Sequence, residues 1–208
     1  MLDALDLAAT RGGTTLFSGL GFSLEPGALL RVTGANGSGK TSLIRILCGL
    51  LEPAAGEVRW KGESIRALRE EYWRHLAHIG HANALKDDFT AAENLAFTCG
   101  IAGLTVRHEQ VHAALARFGL AGRERLPVRA LSQGQRRRAA LARLAVGEAH
   151  LLWILDEPFA ALDAAGIDLV QSLAGEHLGR GGMVVLTTHQ DARIKAPSVI
   201  DINLDREA

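Results

Sequence analysis

The chain has 208 residues, with 23 Lys and Arg against 23 Asp and Glu and a formal net charge of +0. That length supports one sizeable core with room for an inserted subdomain, and the balanced charge gives no pointer to nucleic acid or an acidic substrate. Its two cysteines, Cys48 and Cys99, are far apart and form no CxxC, which excludes a disulfide framework and reads as two buried apolar side chains in a reducing compartment.

The first stretch, MLDALDLAATRGG, carries acids and no long apolar run, so it does not read as a signal peptide. No window approaches the ~20 apolar residues of a membrane span. Downstream, short apolar runs alternate with amphipathic stretches, the pattern of parallel βαβ units. Residues 28–34, ALLRVTG, predict a buried strand ending in glycine. Residues 39–50, GKTSLIRILCGL, predict a helix, with Leu43, Ile46, Leu47 and Leu50 at helical spacing and Gly49 near its end. Between them, GANGSGKT at 34–41 fits G-x-x-x-x-G-K-[ST], lying after a strand and opening a helix. Gly34, Ala35, Asn36, Gly37, Ser38 and Gly39 would wrap backbone N–H groups around phosphates, and the helix N-terminus adds positive potential. Lys40 would reach the β- and γ-phosphates, and the Thr41 hydroxyl would bind Mg²⁺.

LEPAAGEVRW predicts a turn and then a strand. From 85 to 148 there is no convincing strand; AAENLAFTCGIAG, RHEQVHAALARFGL and SQGQRRRAALARLAVG all read as helices. A helical block thus interrupts an α/β core, so the expected division is 1–84 with 149–208 as core and 85–148 as an inserted helical subdomain. Within that block HEQVH matches the zinc pattern H-E-x-x-H, with His108 and His112 on one helical face and Glu109 as a possible base. That is the rival enzyme class. No third ligand follows close downstream, and Val111, Leu115 and Phe118 form an apolar stripe, so the segment reads as packing.

LLWILDEP, residues 151–158, is an apolar strand that delivers Asp156 to its carboxyl end, where α/β folds place ligands. Asp156 would join the Mg²⁺ shell, and Glu157 would act as general base on a water or at least polarise it. Two carboxylates ending a buried strand are costly without a cation nearby. MVVLTTH, residues 183–189, predicts a second central strand, and SVIDINL a last one. The phosphate loop and the carboxylates together specify a nucleoside-triphosphatase.

LSQGQRRRAALARL, residues 131–144, differs by one residue from the LSGGQ signature of ABC-transporter ATPases. It sits shortly upstream of the Asp-Glu strand, as in that family. ALD at 161–163 resembles the family's D-loop, and TTHQ at 187–190 ends a strand with its switch histidine. Lys40, Ser132, Asp156, Glu157, Asp163 and His189 resemble the family in order over essentially the whole chain. The resemblance implies a P-loop NTPase of the ABC ATPase type, with ATP and Mg²⁺ held between two head-to-tail copies. The phosphate loop of one copy faces the signature of the other, so Ser132, Gln133, Gly134, Gln135 and Asp163 join the nucleotide site. Ser132 is also a good N-cap, and with Gly134 can present donors at a helix N-terminus. Gln133 stands where the family usually has glycine. Arg136, Arg137 and Arg138 cannot all face one ligand on a helix, so most of them read as a solvated face.

Two further departures stand out. The family stacks an aromatic residue on adenine about thirty positions before the loop lysine; this chain has Arg11 near that place, whose planar guanidinium can stack or stay solvated. The family has glutamine twelve residues before the glutamate of its ENL-like segment, in a loop that contacts Mg²⁺ and the attacking water and faces the membrane subunit. Counting back from Glu93 gives His81. His81 is then either a core histidine or a stand-in for that glutamine, and joins Glu157 and His189 as a catalytic candidate. With that histidine, IGHANALKDDFTAAENL, LLWILDEPF and GGMVVLTTHQ resemble the haem-export branch of the family, which serves bacterial cytochrome c maturation. That likeness implies a peripheral ATPase on the cytoplasmic face of the inner membrane, paired with multi-span permease subunits. Its ATP hydrolysis would drive release of a haem-loaded periplasmic chaperone. Cargo comes from the resemblance alone, and an ATPase for another cargo is the alternative. A soluble ABC-type ATPase on DNA or the ribosome is disfavoured: there is no coiled-coil insertion, second cassette or basic tail, so no nucleic-acid partner is expected.

Overall fold

The computed structural model describes residues 1–146, 150–189 and 193–205. Two sheets organise it. One is antiparallel, in the order β2-β1-β4-β5, from β1 (Leu2–Arg11), β2 (Thr14–Leu24), β4 (Ala55–Trp60) and β5 (Glu63–Ser64). The other is in the order β6-β7-β8-β3-β9, from β3 (Ala28–Thr33), β6 (Leu76–Ile79), β7 (Leu152–Asp156), β8 (Met183–Thr187) and β9 (Ser198–Asn203), every neighbouring pair running parallel. The α/β nucleotide-binding fold expected from the motifs is thus observed.

The central parallel strands β7 and β8 bury both faces, and alternation along them and β3 sorts side chains between two cores. Leu29, Trp153, Leu155, Val184 and Leu186 face one cluster. There they meet Val170, Leu173, Ala174 and Leu178 of α7 (Ala164–Gly179), and the helices of the inserted block. Leu30, Val32, Leu152, Ile154, Met183 and Val185 face the other. That second core is filled by Leu43, Ile44, Ile46 and Leu47 of α1 (Lys40–Leu47) and closed by Leu2, Leu7, Leu24, Val58 and Trp60 of the antiparallel sheet. Short helices α2 (Ile65–Leu68) and α3 (Glu70–Arg74) lead into β6.

Residues 85–146 carry α4 (Ala91–Ile101), α5 (His108–Arg117) and α6 (Gln133–Leu141), the last continued by a 3-10 turn over Ala142–Ala145. The expected border of the helical block at 148/149 and Gln190 of the TTHQ run lie outside the described residues. Thr90 and Glu93 form a reciprocal capping box at the start of α4. Cys48 and Cys99 are both buried; burial pushes the Cys48 thiol up to about 12 and raises Cys99. None of the described helices is long and apolar enough to cross a membrane.

Of the antiparallel sheet, β4 is the strand expected in LEPAAGEVRW, and the part that a reading in parallel βαβ units omits is the β1–β2 hairpin. Its first strand buries Leu2 and Ala4, then Leu7 and Ala9. The register shifts between Ala4 and Leu7, and this irregularity breaks the period-two alternation that marks a strand. Gly12 and Gly13, with φ of 56° and 77°, turn the chain between β1 and β2, as a two-residue hairpin turn requires.

Candidate nucleotide site

Four neighbouring strands of the parallel sheet, β6, β7, β8 and β3, discharge their carboxyl ends on one side. The segment after β3 is the glycine loop, and after β7 come Glu157 and the turn leading to α7. His189 follows β8, and His81 follows β6. Because parallel neighbours share direction, residues far apart in sequence arrive at one edge without any special loop design.

Gly39 caps α1 with φ 110°, and a Cβ there would lie 3.1 Å from the Leu16 and Phe17 side chains. Only glycine lets the loop turn this tightly against β2. Lys40 is buried, and its ammonium donates to the carbonyl oxygens of Gly34 at 2.6 Å and Ala35 at 3.0 Å. The Ser38 hydroxyl is buried without a protein partner.

Asp156 is 3% exposed. Its Oδ1 accepts from the Thr187 hydroxyl at 2.7 Å, and its Oδ2 from the Thr41 hydroxyl at 3.3 Å. The same Thr187 oxygen accepts the Glu157 N–H at 2.9 Å. Glu157 has φ 50°, a left-handed conformation costing a non-glycine residue about 1–2 kcal/mol. Such strain persists only where the surroundings over-determine it. The Glu157 carboxylate lies 3.3 Å from His189 Nε2.

These groups line one cleft of about 420 Å³. Arg11, Asn36, Gly37, Gly39, Lys40, Thr41, His81, Asp156, Glu157 and His189 all reach it, joined by Leu16, Ser42 and Ala160. His81 is exposed, which removes the core-histidine reading. Arg11 stands at the same mouth and is also exposed.

Ser132, Gln133, Gly134, Gln135 and Asp163 are not among the residues lining this cleft. Ser132 caps α6, accepting the Gln135 N–H at 3.3 Å while its own N–H donates to Gln135 Oε1 at 3.0 Å. Gly134 packs so closely that an added Cβ would meet the Ala161 carbonyl at 3.0 Å. Asp163 caps α7, accepting the Gly166 N–H at 3.0 Å and a bond from the Arg138 guanidinium. The Arg138 bond, followed by the Gly166 N–H, holds the Asp163 carboxyl below the usual range.

The solvated-face reading of the arginine run is corrected here. Arg137 is 3% exposed and points into the protein, while Arg136 and Arg138 are half-buried. Arg136 donates to the Leu131 and Arg129 carbonyls. One side of α6 faces the core through Ala139, Ala140 and Leu141, and Arg137 shares that burial. Thr187 joins the site between Asp156 and the Glu157 N–H, and its sequence signal is a hydroxyl ending an otherwise apolar strand.

The H-E-x-x-H segment forms α5. His108 and His112 stack with ring centroids 4.0 Å apart. Val111, Ala114 and Leu115 are buried as a packing stripe. Among the described residues no three His, Cys, Asp or Glu side chains converge as metal ligands.

The model of a family described as ABC transporter matches residues 17–160. The cytochrome c biogenesis ATP-binding export protein CcmA of Aromatoleum aromaticum is 52% identical over 204 residues, covering 98% of this chain and 95% of that protein. Its counterpart in Nitrosospira multiformis is 49% identical over 203 residues, covering 98% of each. Among solved structures, an ATP-binding subunit of an ABC transporter superposes with a TM-score of 0.86 at 25% identity, covering 100% of this chain and 88% of that one.

Proposed function

This chain belongs to the ABC transporter family, as an ATP-binding ATPase subunit, and we propose that it powers a membrane complex serving cytochrome c maturation. The observation that carries the chemistry is the convergence of Lys40, Thr41, Asp156, Glu157, His189 and His81 on one cleft. The cargo rests on likeness to the cytochrome c biogenesis export proteins. In this reading 1–84 and 149–208 are the nucleotide-binding core, and 85–148 the helical signature subdomain.

Backbone N–H groups of residues 34–39 cradle the phosphates, and Lys40 swings from the Gly34 and Ala35 carbonyls onto the β- and γ-phosphates. The Thr41 and Asp156 oxygens, 3.3 Å apart, form an all-oxygen donor pair that fits Mg²⁺. Bound there with the nucleotide, Mg²⁺ would neutralise charge building on the phosphates. Glu157 takes a proton from the attacking water, and His189, 3.3 Å from it, holds the carboxylate in place. His81 brings its ring nitrogens to the rim, within the cleft where the attacking water would sit. Arg11, exposed at the mouth of the cleft, would stack its guanidinium on the base.

Ser132–Gln135 and Asp163 line no part of their own chain's cleft. A second copy, turned head to tail, presents the α6 N-terminus to the γ-phosphate. Multi-span permease subunits anchor the pair to the cytoplasmic face of the inner membrane, and hydrolysis energises release of a haem-loaded chaperone.

Two experiments test this reading. Glu157→Gln, given excess MgATP, is expected to sediment as a dimer; a monomer at all concentrations, even with its membrane partner, refutes the two-copy site. Deleting the gene should abolish holo-cytochromes c. Normal cytochromes would overturn the cargo assignment and leave the ATPase untouched.

A further inference from the structure

Arg137 is a buried cation on α6 whose contacts lie in the two loops that carry the catalytic candidates. Its Nη1 donates to the Gly80 carbonyl at 3.0 Å and to Asn83 Oδ1 at 3.2 Å, on either side of His81. Its Nη2 donates to the Glu157 carbonyl at 2.7 Å and to the Asp156 carbonyl at 3.2 Å. Four N–H groups therefore reach four acceptors, while Nε is buried without one. Burial pulls the guanidinium's affinity for its proton down, and the Asp156 and Glu157 charges pull it back up. The arginine stays charged.

The acceptors are main-chain carbonyls and a carboxamide. Glu157 is the strained residue of the site, with φ 50°. Its N–H is held by Thr187 and its carbonyl by Arg137. The strain is therefore clamped from both sides. We propose that Arg137 is a positioning residue, which fixes the Glu157 main chain and the His81 loop in one geometry from the first turns of the signature helix. This rests on the assignment of Glu157 and His81 to catalysis. It extends it by coupling both loops to the segment that a second copy would engage.

A planar fork is needed, because one ammonium cannot reach acceptors that lie on opposite arms of the guanidinium. Misplacement of a catalytic group by about 1 Å costs roughly 100-fold in rate. In full-length Arg137→Gln, kcat for MgATP hydrolysis is expected to fall roughly 100-fold. The Kd of a fluorescent ATP analogue, measured by titration, should stay within about threefold, since the phosphate loop is not among the Arg137 contacts. Free guanidinium at millimolar concentration should restore part of kcat in Arg137→Ala and none in Lys40→Ala. Activity within threefold of the parent, an equal loss of nucleotide affinity, or no rescue in a variant that keeps its thermal midpoint would each overturn the proposal. Should Arg137→Ala and Arg137→Gln fail to fold, Arg137→Lys decides. A tenfold lower kcat at unchanged Kd supports positioning, and parent-like kcat overturns it. Glu157→Gln separates the two layers. If it still hydrolyses ATP, the base assignment fails; if it is inactive while Arg137→Gln works normally, only the positioning role fails.

Discussion

His177 makes the stability of this fold sensitive to acid. Its ring stacks on Trp153 at 4.1 Å with an interplanar angle of 6°. Its Nε2 is buried without a partner. Burial is the main cause that pushes its pKa down from 6.5 to about 4, with Arg180 adding to it. Between those values the unfolded chain binds a proton that the folded chain refuses, so acidification favours unfolding. The contribution is fully present above pH 6.5 and is lost as pH falls towards 4. At 1.36 kcal/mol per decade the whole gap is about 3 kcal/mol, of which about 2 kcal/mol falls between pH 7 and pH 5. His177→Phe keeps an aromatic ring against Trp153 and removes the titration. Urea unfolding at pH 7 and pH 5 should show the parent losing about 2 kcal/mol more than the variant across that interval. Losses agreeing within about 0.5 kcal/mol would refute the buried neutral imidazole.

Thr187→Val removes the hydroxyl between Asp156 and the Glu157 N–H; buried partners left unpaired cost about 2–3 kcal/mol, readable as a lower thermal midpoint, and kcat should fall at least about tenfold. An unchanged midpoint would mean that water replaces the hydroxyl. His81→Gln should keep ATPase activity within about fivefold, whereas Lys40→Ala loses it; equal losses would show that imidazole does something a carboxamide cannot. Arg11→Ala should weaken ATP binding by roughly 3- to 10-fold in a titration, and no change would place the guanidinium in solvent.

The strands that carry the cleft are legible because buried parallel strands are continuous apolar runs. LLWILD and MVVLTT leave little else for those residues to be. The glycine loop is legible because a strand and a helix flank it. The β1–β2 hairpin is hidden by its irregular register, although Gly12–Gly13 marks its turn. Arg137 is hidden for another reason. An arginine within a run of three reads as solvated because arginine is seldom buried. Its acceptors lie 20 residues away at Glu157 and 57 residues away at Gly80. No local pattern encodes a partner at that distance.

The two arginines next to each other on α6 solve opposite problems. Arg138 spends its charge on the Asp163 carboxylate, at the cap of α7. Arg137 meets main-chain oxygens of Asp156 and Glu157 instead. Had Arg137 paired with those carboxylates, it would compete with a cation at Asp156 and lower the proton affinity that a base at Glu157 needs. By holding carbonyls it fixes geometry and leaves both carboxylates to the cleft. Asp156 then has one oxygen on Thr187 and one towards Thr41, while Glu157 faces His189. The cost is a buried cation without a carboxylate partner at hydrogen-bonding distance. That cost is bearable only because four acceptors converge on it, and this makes the arrangement all-or-none. A change at the α6 N-terminus that rotates the helix breaks bonds to both loops together. On the proposed two-copy site, engagement of Ser132–Gln135 by a second copy would therefore be felt at Glu157 and His81 within the same chain.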